Sequence, residues 1–238
     1  MPPQWQEQQR YHAAMERRGI RSFVQRAGRI TEGQRRALAE LWPRYGIEAG
    51  EEPIDLEAAF GRRAPVTLEI GFGDGESTVA LAGQHPEGNL LGIEVHPPGV
   101  GHCLLLAERA GLTNLRVISQ DAIEVLARRL PDACLDEVLL YFPDPWPKKR
   151  HHKRRIVQPE FVALLARKLA PGGVFRLATD WVPYAEHMLE VMSASADFEN
   201  LSPSADWVER PSSRPITRFE RRGGRLGHVV RDLAFRRR

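Results

Sequence analysis

Four carboxylates occur where a single cleft could use them all: Glu69 in LEIGFGDGEST, Glu94 in GIEVH, Asp121 in SQDA and Asp144 in YFPDPW. Each lies within or just after a short apolar run. Gly71, Gly73 and Gly75 follow the first of them, and glycines let a backbone turn tightly and approach a ligand closely. The dinucleotide fingerprint G-x-G-x-x-G would need glycine at position 76, where Glu76 stands. A pyrophosphate-binding turn, and with it a dehydrogenase, is therefore disfavoured; a G-x-G-x-G loop suits a smaller nucleoside without phosphates. Glu94 comes about twenty residues after the glycines, the separation at which an acid accepts both hydroxyls of a ribose. Asp121 could accept a hydrogen from the exocyclic amine of adenine. Glu69, a carboxylate inside an apolar run, requires a partner, and the ammonium of an amino-acid tail would be one. Two hydroxyls, an amine-bearing purine, a cationic tail and no phosphate describe S-adenosyl-L-methionine. Taken singly, Asp121 also reads as a helix N-cap, and Glu94 as a surface residue at a strand end.

Asp144 stands between Pro143 and Pro145, which restrict the backbone and remove competing donors. A carboxylate held there can only accept hydrogen bonds. Guanine alone among the common bases shows two adjacent donors, N1–H and N2–H2, on its Watson–Crick edge. A fixed aspartate could select it in unpaired or splayed RNA; the plainer reading is a turn aspartate capping the next segment. Directly behind it come Lys148, Lys149, Arg150, Lys153, Arg154 and Arg155, with His151 and His152 but no acid among them. The chain's net charge is +3, and without those six cations it would be −3. The positive excess is thus local, as a polyanion-binding patch requires, although charge alone is equally met by a solvated turn. The two histidines are adjacent, not i and i+4, and lie among cations that would repel a metal ion, so no metal site is expected.

Elements must hold these residues together. Apolar runs at Val66–Phe72, Leu90–Val95, Leu115–Ser119, Leu135–Phe142 and Val174–Ala178 are short and nearly continuous, as in strands buried on both faces. Helical patterns fall between them, at Glu76–Gln84, Gly99–Ala110, Ile123–Leu130 and Pro159–Leu169. Asp180 is placed to cap a further helix carrying Ala185, Met188, Leu189 and Met192, and HVVRDLAFRR alternates like a final strand. Serial strand–helix units predict an open, mostly parallel, doubly wound sheet, with ligands at the carboxyl ends of the strands. Upstream, Thr31 and Gln34 form a capping-box pattern for a helix stopped by Pro43. Residues 1–30 read as a basic, flexible N-terminal arm, and residues 31–238 as a single domain.

With 238 residues, 42% hydrophobic and 27% charged, the chain suits one compact domain of the larger kind. Cys103 and Cys134 are far apart, which argues against a disulfide framework or a cysteine-rich zinc site. No apolar run approaches the roughly 18 residues of a membrane span, and the first residues lack the apolar core of a secretory signal. A cytoplasmic protein without a membrane partner is expected.

LEIGFGDGEST, GIEVH, YFPDPWPKKRHHKRRIVQPEF, ATDWVPYAEHM and RPITRFERRG together closely resemble the bacterial tRNA (guanine-N7-)-methyltransferases of the TrmB type. The resemblance runs from about Arg21 to Phe235, and the PDPW-to-KRR and T-x-F-E segments carry it far more than the glycine loop does. It implies an α/β fold of the Rossmann-like class I S-adenosylmethionine-dependent type, with a mostly parallel seven-stranded sheet flanked by helices. It also implies methyl transfer to N7 of the guanine at position 46 in the tRNA variable loop. The cofactor residues would be Glu69, Gly71, Gly73, Glu94, Asp121 and Asp144, the last also catalytic. Substrate contacts would fall on Lys148, Arg150, Lys153, Arg154, Arg155 and Asp180, and on Thr217, Arg218, Phe219 and Glu220. Arg218 stands where many members have lysine; charge is kept but donor geometry is not. The partner would be tRNA, and the protein a monomer or homodimer. Another RNA methyltransferase on the same fold, or an RNA-binding protein with a vestigial cofactor pocket, are the alternative readings.

Overall fold

The computed structural model describes residues 21–23, 28–216, 220–221, 227 and 229–238. The capping box forms as its spacing predicts: the Gln34 amide donates to Thr31 Oγ1 (3.3 Å) and the Thr31 amide to Gln34 Oε1 (2.8 Å), opening α1 (Glu32–Glu40). Pro43 does more than stop that helix. It lies in the first turn of a second short helix, α2 (Trp42–Tyr45), where a missing amide hydrogen costs nothing. The chain then runs β1 (Gly46–Ile47), α3 (Leu56–Phe60), β2 (Val66–Ile70), α4 (Glu76–Gln84), β3 (Asn89–Ile93), α5 (Pro97–Arg109), β4 (Leu115–Ile118) and α6 (Ala122–Glu124). After a π-helical turn (Val125–Arg129) come β5 (Leu135–Tyr141), a 3₁₀ helix (Lys149–Arg154), α7 (Pro159–Lys168), β6 (Leu169–Thr179), α8 (Val182–Ser193), β7 (Phe198–Asn200) and β8 (Arg231–Arg237).

The sheet order is β1-β4-β3-β2-β5-β6-β8-β7. Every pairing is parallel except those of β8 with β6 and with β7. Both faces are buried, as the continuous apolar runs require. Along β3, Leu91 and Ile93 join one core cluster and Leu90 the other; along β5, Val138 and Leu140 oppose Leu139. α1, α2, α4 and α5 cover one face, and α3, the π turn, α7 and α8 the other. Strand order reverses at β2, whose neighbours are β3 on one side and β5 on the other. That switch point opens a crevice at the carboxyl ends of these strands.

Four expectations are corrected. The sheet has eight strands, not seven, because Gly46–Ile47 pairs with Val117 and Ile118 at one edge. The helix expected to start at Gly99 starts at Pro97, where proline's fixed φ is already helical. The helix expected over Ile123–Leu130 is α-helical only over Ala122–Glu124 and continues as a π turn over Val125–Arg129, closed by the Leu130 amide donating to the Val125 carbonyl at 3.1 Å. β6 begins at Leu169 rather than Val174, with an irregularity where Leu135 and then Glu137 pair with it.

Candidate active site

The glycine turn is built by backbone geometry that side chains would strain. Gly71 and Gly73 have φ of 74° and 62°, the left-handed region. α5 packs directly onto the turn: a Cβ on Gly99 would come within 2.0 Å of the Gly73 carbonyl oxygen. Glu94, at the end of β3, locks the turn from the other side. Its Oε2 accepts from the Gly73 amide (2.8 Å), and its Oε1 from the amides of Val95 (2.7 Å) and His96 (2.9 Å). Burial pushes this carboxyl above the usual glutamate range; the three amides oppose the shift and the nearby Asp144 charge adds to it. A carboxylate so held, with lone pairs remaining, suits a ribose diol.

Glu69 is buried beneath the same turn. Its two oxygens accept from the hydroxyls of Ser77 (2.9 Å) and Thr78 (2.6 Å) in the first turn of α4. Burial is again the largest influence, raising its pKa against those two hydrogen bonds, with the charge of Glu94 adding to the rise. The partner it needed is therefore this hydroxyl pair, and Glu69 does not line the cleft above. Asp121 is the N-cap expected of it, accepting from the Ile123 amide at 2.9 Å in front of α6, and it also lines the cleft.

That cleft has a volume of about 350 Å³. Gly71, Glu94, Asp121 and Asp144 line it together, with Phe142 and Ile156 as apolar walls. Its size and its few convergent polar groups are those of a small-molecule site, and its acids fit a phosphate-free, cationic nucleoside.

Asp144 rides on a strained loop. Phe142 and Trp146, two residues to either side, have φ of 52° and 46°, uncommon for residues other than glycine. Arg155 clamps this loop from below, donating from Nε to the Pro145 carbonyl (3.0 Å) and from NH1 to the Pro183 carbonyl (3.3 Å). Its guanidinium stacks 4.8 Å from the Tyr184 ring centroid, and only 3% of the residue is exposed. Arg155 is therefore not on the surface where a phosphate could reach it, contrary to the sequence reading. Arg154 is half-buried: it lies 3.8 Å over the Trp146 ring and donates to the carbonyls of Arg21 (2.9 Å) and Phe23 (3.1 Å). The Trp146 indole N–H donates to the Ser22 carbonyl at 3.0 Å. Ser22 and Phe23 in turn line the cleft, so at least these residues of the expected arm belong to the site. Lys148, Lys149, Arg150 and Lys153 are exposed.

A family model described as "Putative methyltransferase" matches residues 63–233. The chain is 62% identical over 218 residues to a tRNA (guanine-N(7)-)-methyltransferase of Cronobacter sakazakii, covering 92% of this chain and 91% of that protein. It is 60% identical over 220 residues, 92% of each, to the protein of the same name from Escherichia coli K12. The chain belongs to the tRNA (guanine-N(7)-)-methyltransferase family. As a methyltransferase of this fold it takes its methyl group from S-adenosyl-L-methionine. The crystal structure of the 16S rRNA methyltransferase KamB shares the fold, with a TM-score of 0.59 at 19% identity over 82% of this chain and 98% of that one.

Asp180 follows β6 by one residue, but it is not the N-cap of α8; Trp181 is, so the expected cap is corrected. Glu220 is held by two arginines: Arg214 forks onto both its oxygens at 2.8 and 2.9 Å, and Arg210 Nε lies 3.3 Å away. Arg214 also reaches Asp232 of β8, Nε to Oδ1 at 2.8 Å. Thr217, Arg218 and Phe219 lie outside the described residues. The sequence reading missed Ser77, Thr78 and Arg214. The first two lie eight and nine residues from Glu69 in a different element, a separation that carries no local signal; Arg214 stood among many arginines with nothing to single it out.

Among the described residues, no helix is long and apolar enough to cross a membrane. None form a group of three or more His, Cys, Asp or Glu side chains that could hold a metal ion.

Proposed function

We propose that this protein transfers a methyl group from S-adenosyl-L-methionine to N7 of a guanine in tRNA, the guanine at position 46 of the variable loop. The observation that carries this reading is the placement of Asp144. Its strained, clamped loop puts one carboxylate in the wall of the cleft shared by Glu94 and Asp121, immediately before four exposed cations. The curated relatives' shared name supports the substrate.

When bound, S-adenosyl-L-methionine supplies an electrophilic methyl group on a sulfonium. Gly71 and Gly73 give the close backbone approach, Glu94 would hold the ribose hydroxyls, and Asp121 the adenine amine. Glu69 contributes buried negative charge beneath the turn. N7 of guanine carries an in-plane lone pair and no proton, so no general base is required. Asp144 accepts from the guanine edge, which aligns N7 and steadies the positive charge that arrives on the purine. Lys148, Lys149, Arg150 and Lys153 meet backbone phosphates, which set register while the base contact specifies. Arg155 acts through Asp144 as a positioning residue. Asp180 and Glu220 are carboxylates on the same edge of the molecule, Glu220 oriented by Arg214.

Incubating the protein with the methyl donor and unmodified tRNA, followed by nucleoside mass spectrometry, tests this reading. 7-Methylguanosine is the expected product. Donor and tRNA binding without any methylated nucleoside would instead favour an RNA-binding module.

A further inference from the structure

Beside the Asp144 loop, just after the neighbouring strand β6, a large aromatic side chain is partly open to solvent on a hydrogen-bonded backbone. Tyr141 of β5 pairs with Ala178 of β6, and the Phe142 amide donates to the Ala178 carbonyl at 2.7 Å. Asp144 and Trp181 each follow these paired residues by three positions, so their loops leave the sheet side by side. Arg155 ties the two loops together, because the carbonyls it holds belong to Pro145 and Pro183.

The Trp181 backbone is fixed at every polar atom. Its amide donates to Thr179 Oγ1 at 3.2 Å, and its carbonyl accepts from the amides of Tyr184 (2.8 Å) and Ala185 (3.0 Å). Tyr184 itself is fully buried. Yet Trp181 is 39% exposed, and Val182 beside it 41%. No side-chain hydrogen bond engages the indole among the described residues. A single exposed ring is ordinary on a protein surface and too small for a protein-docking surface; what singles out Trp181 is its place beside the Asp144 loop, tied to it through Arg155. Its ring is the right size for one base. A positioned, solvent-facing ring next to a cationic helix is how proteins receive an unstacked base.

We infer that Trp181 is a stacking platform for the purine that Asp144 grips, a substrate-binding residue that receives the base once it leaves its own stack. This rests on the function proposed above. The carboxylate would read the guanine edge while the indole covers the ring face, so selectivity and orientation come from different atoms. Trp181 lies outside the lining of the cofactor cleft, so its loss leaves the donor site intact.

The test compares the full chain with W181L, W181F and W181Y, using an unmodified tRNA transcript. W181F and W181Y retain kcat/KM close to that of the unsubstituted protein, whereas W181L, apolar but not aromatic, loses about 5- to 150-fold, the range for removing one base–aromatic stack. Donor affinity by calorimetry and Tm are unchanged in all three. W181L with full activity, or phenylalanine and leucine variants equally impaired, would overturn the inference. If the unsubstituted protein forms no 7-methylguanosine, the proposed function fails. tRNA affinity in the same four proteins then decides the platform: leucine alone weakened supports it, and all four equal rejects it.

Discussion

At the residue scale, Asp144 and Glu94 line one cleft, and the proposed function gives them different duties. Asp144→Asn presents amide donors to the donors of guanine. We predict a loss of turnover of about 10²-fold or more, with Tm and donor affinity near those of the unsubstituted protein; near-normal methylation would remove Asp144 from the base-gripping role. Glu94 and Glu69 are both pushed above the ordinary 4.5 by burial. A cationic ligand favours the ionised form, so their pKa falls on binding and protons are released. The free protein then holds more protons than the complex at pH values above the ordinary carboxylate range, and affinity rises with pH there. Calorimetry in buffers of different ionisation enthalpy should detect the release, and Glu94→Gln should diminish it. Equal heats in all buffers would contradict the assignment. Both acids were visible in the sequence, Glu69 as a charge inside an apolar run and Glu94 as one at the end of another. What holds Glu69 was not, because hydroxyl partners eight and nine residues away are recognised only once α4 is folded over β2.

At the element scale, the basic run divides into parts that sequence cannot separate. Spacing placed all six cations together, but the 3₁₀ helix turns Lys148, Lys149, Arg150 and Lys153 outward and leaves Arg154 and Arg155 facing protein. Replacing the four exposed residues with alanine should make the slope of log affinity for tRNA against log salt shallower by about 3. Arg155→Ala should leave that slope unchanged, because its guanidinium meets carbonyls. It should instead lower stability by about 1–3 kcal/mol, the cost of leaving buried acceptors unpaired, and reduce kcat by loosening the Asp144 loop. A large change in slope for Arg155→Ala would return it to the RNA surface. Strands β2 to β6 and their helices were legible because two-sided burial writes continuous apolar runs. β1 and β7, of two and three residues, carry no such pattern and exist through their pairing alone.

At the scale of the whole molecule, the sheet brings together residues far apart in the chain. Arg214 joins Glu220 to Asp232 of β8 while its guanidinium lies 5.7 Å from the rings of Tyr141 and Phe142, next to the Asp144 loop. Arg214→Ala leaves the buried Asp232 carboxylate without its guanidinium and should destabilise the fold by about 3–5 kcal/mol, read by urea unfolding; an unchanged midpoint would show that the network is dispensable. The central claim is that a cofactor cleft and a guanine-gripping carboxylate share one strand edge beside a phosphate-binding helix. The measurement that tests it most directly is position mapping of the methyl group, by chain cleavage at 7-methylguanine, on two tRNA transcripts carrying guanine or adenine at position 46. The account predicts cleavage at that position in the guanine transcript and none in the adenine transcript. Cleavage elsewhere in both, or methyl incorporation indifferent to the substitution, would contradict it.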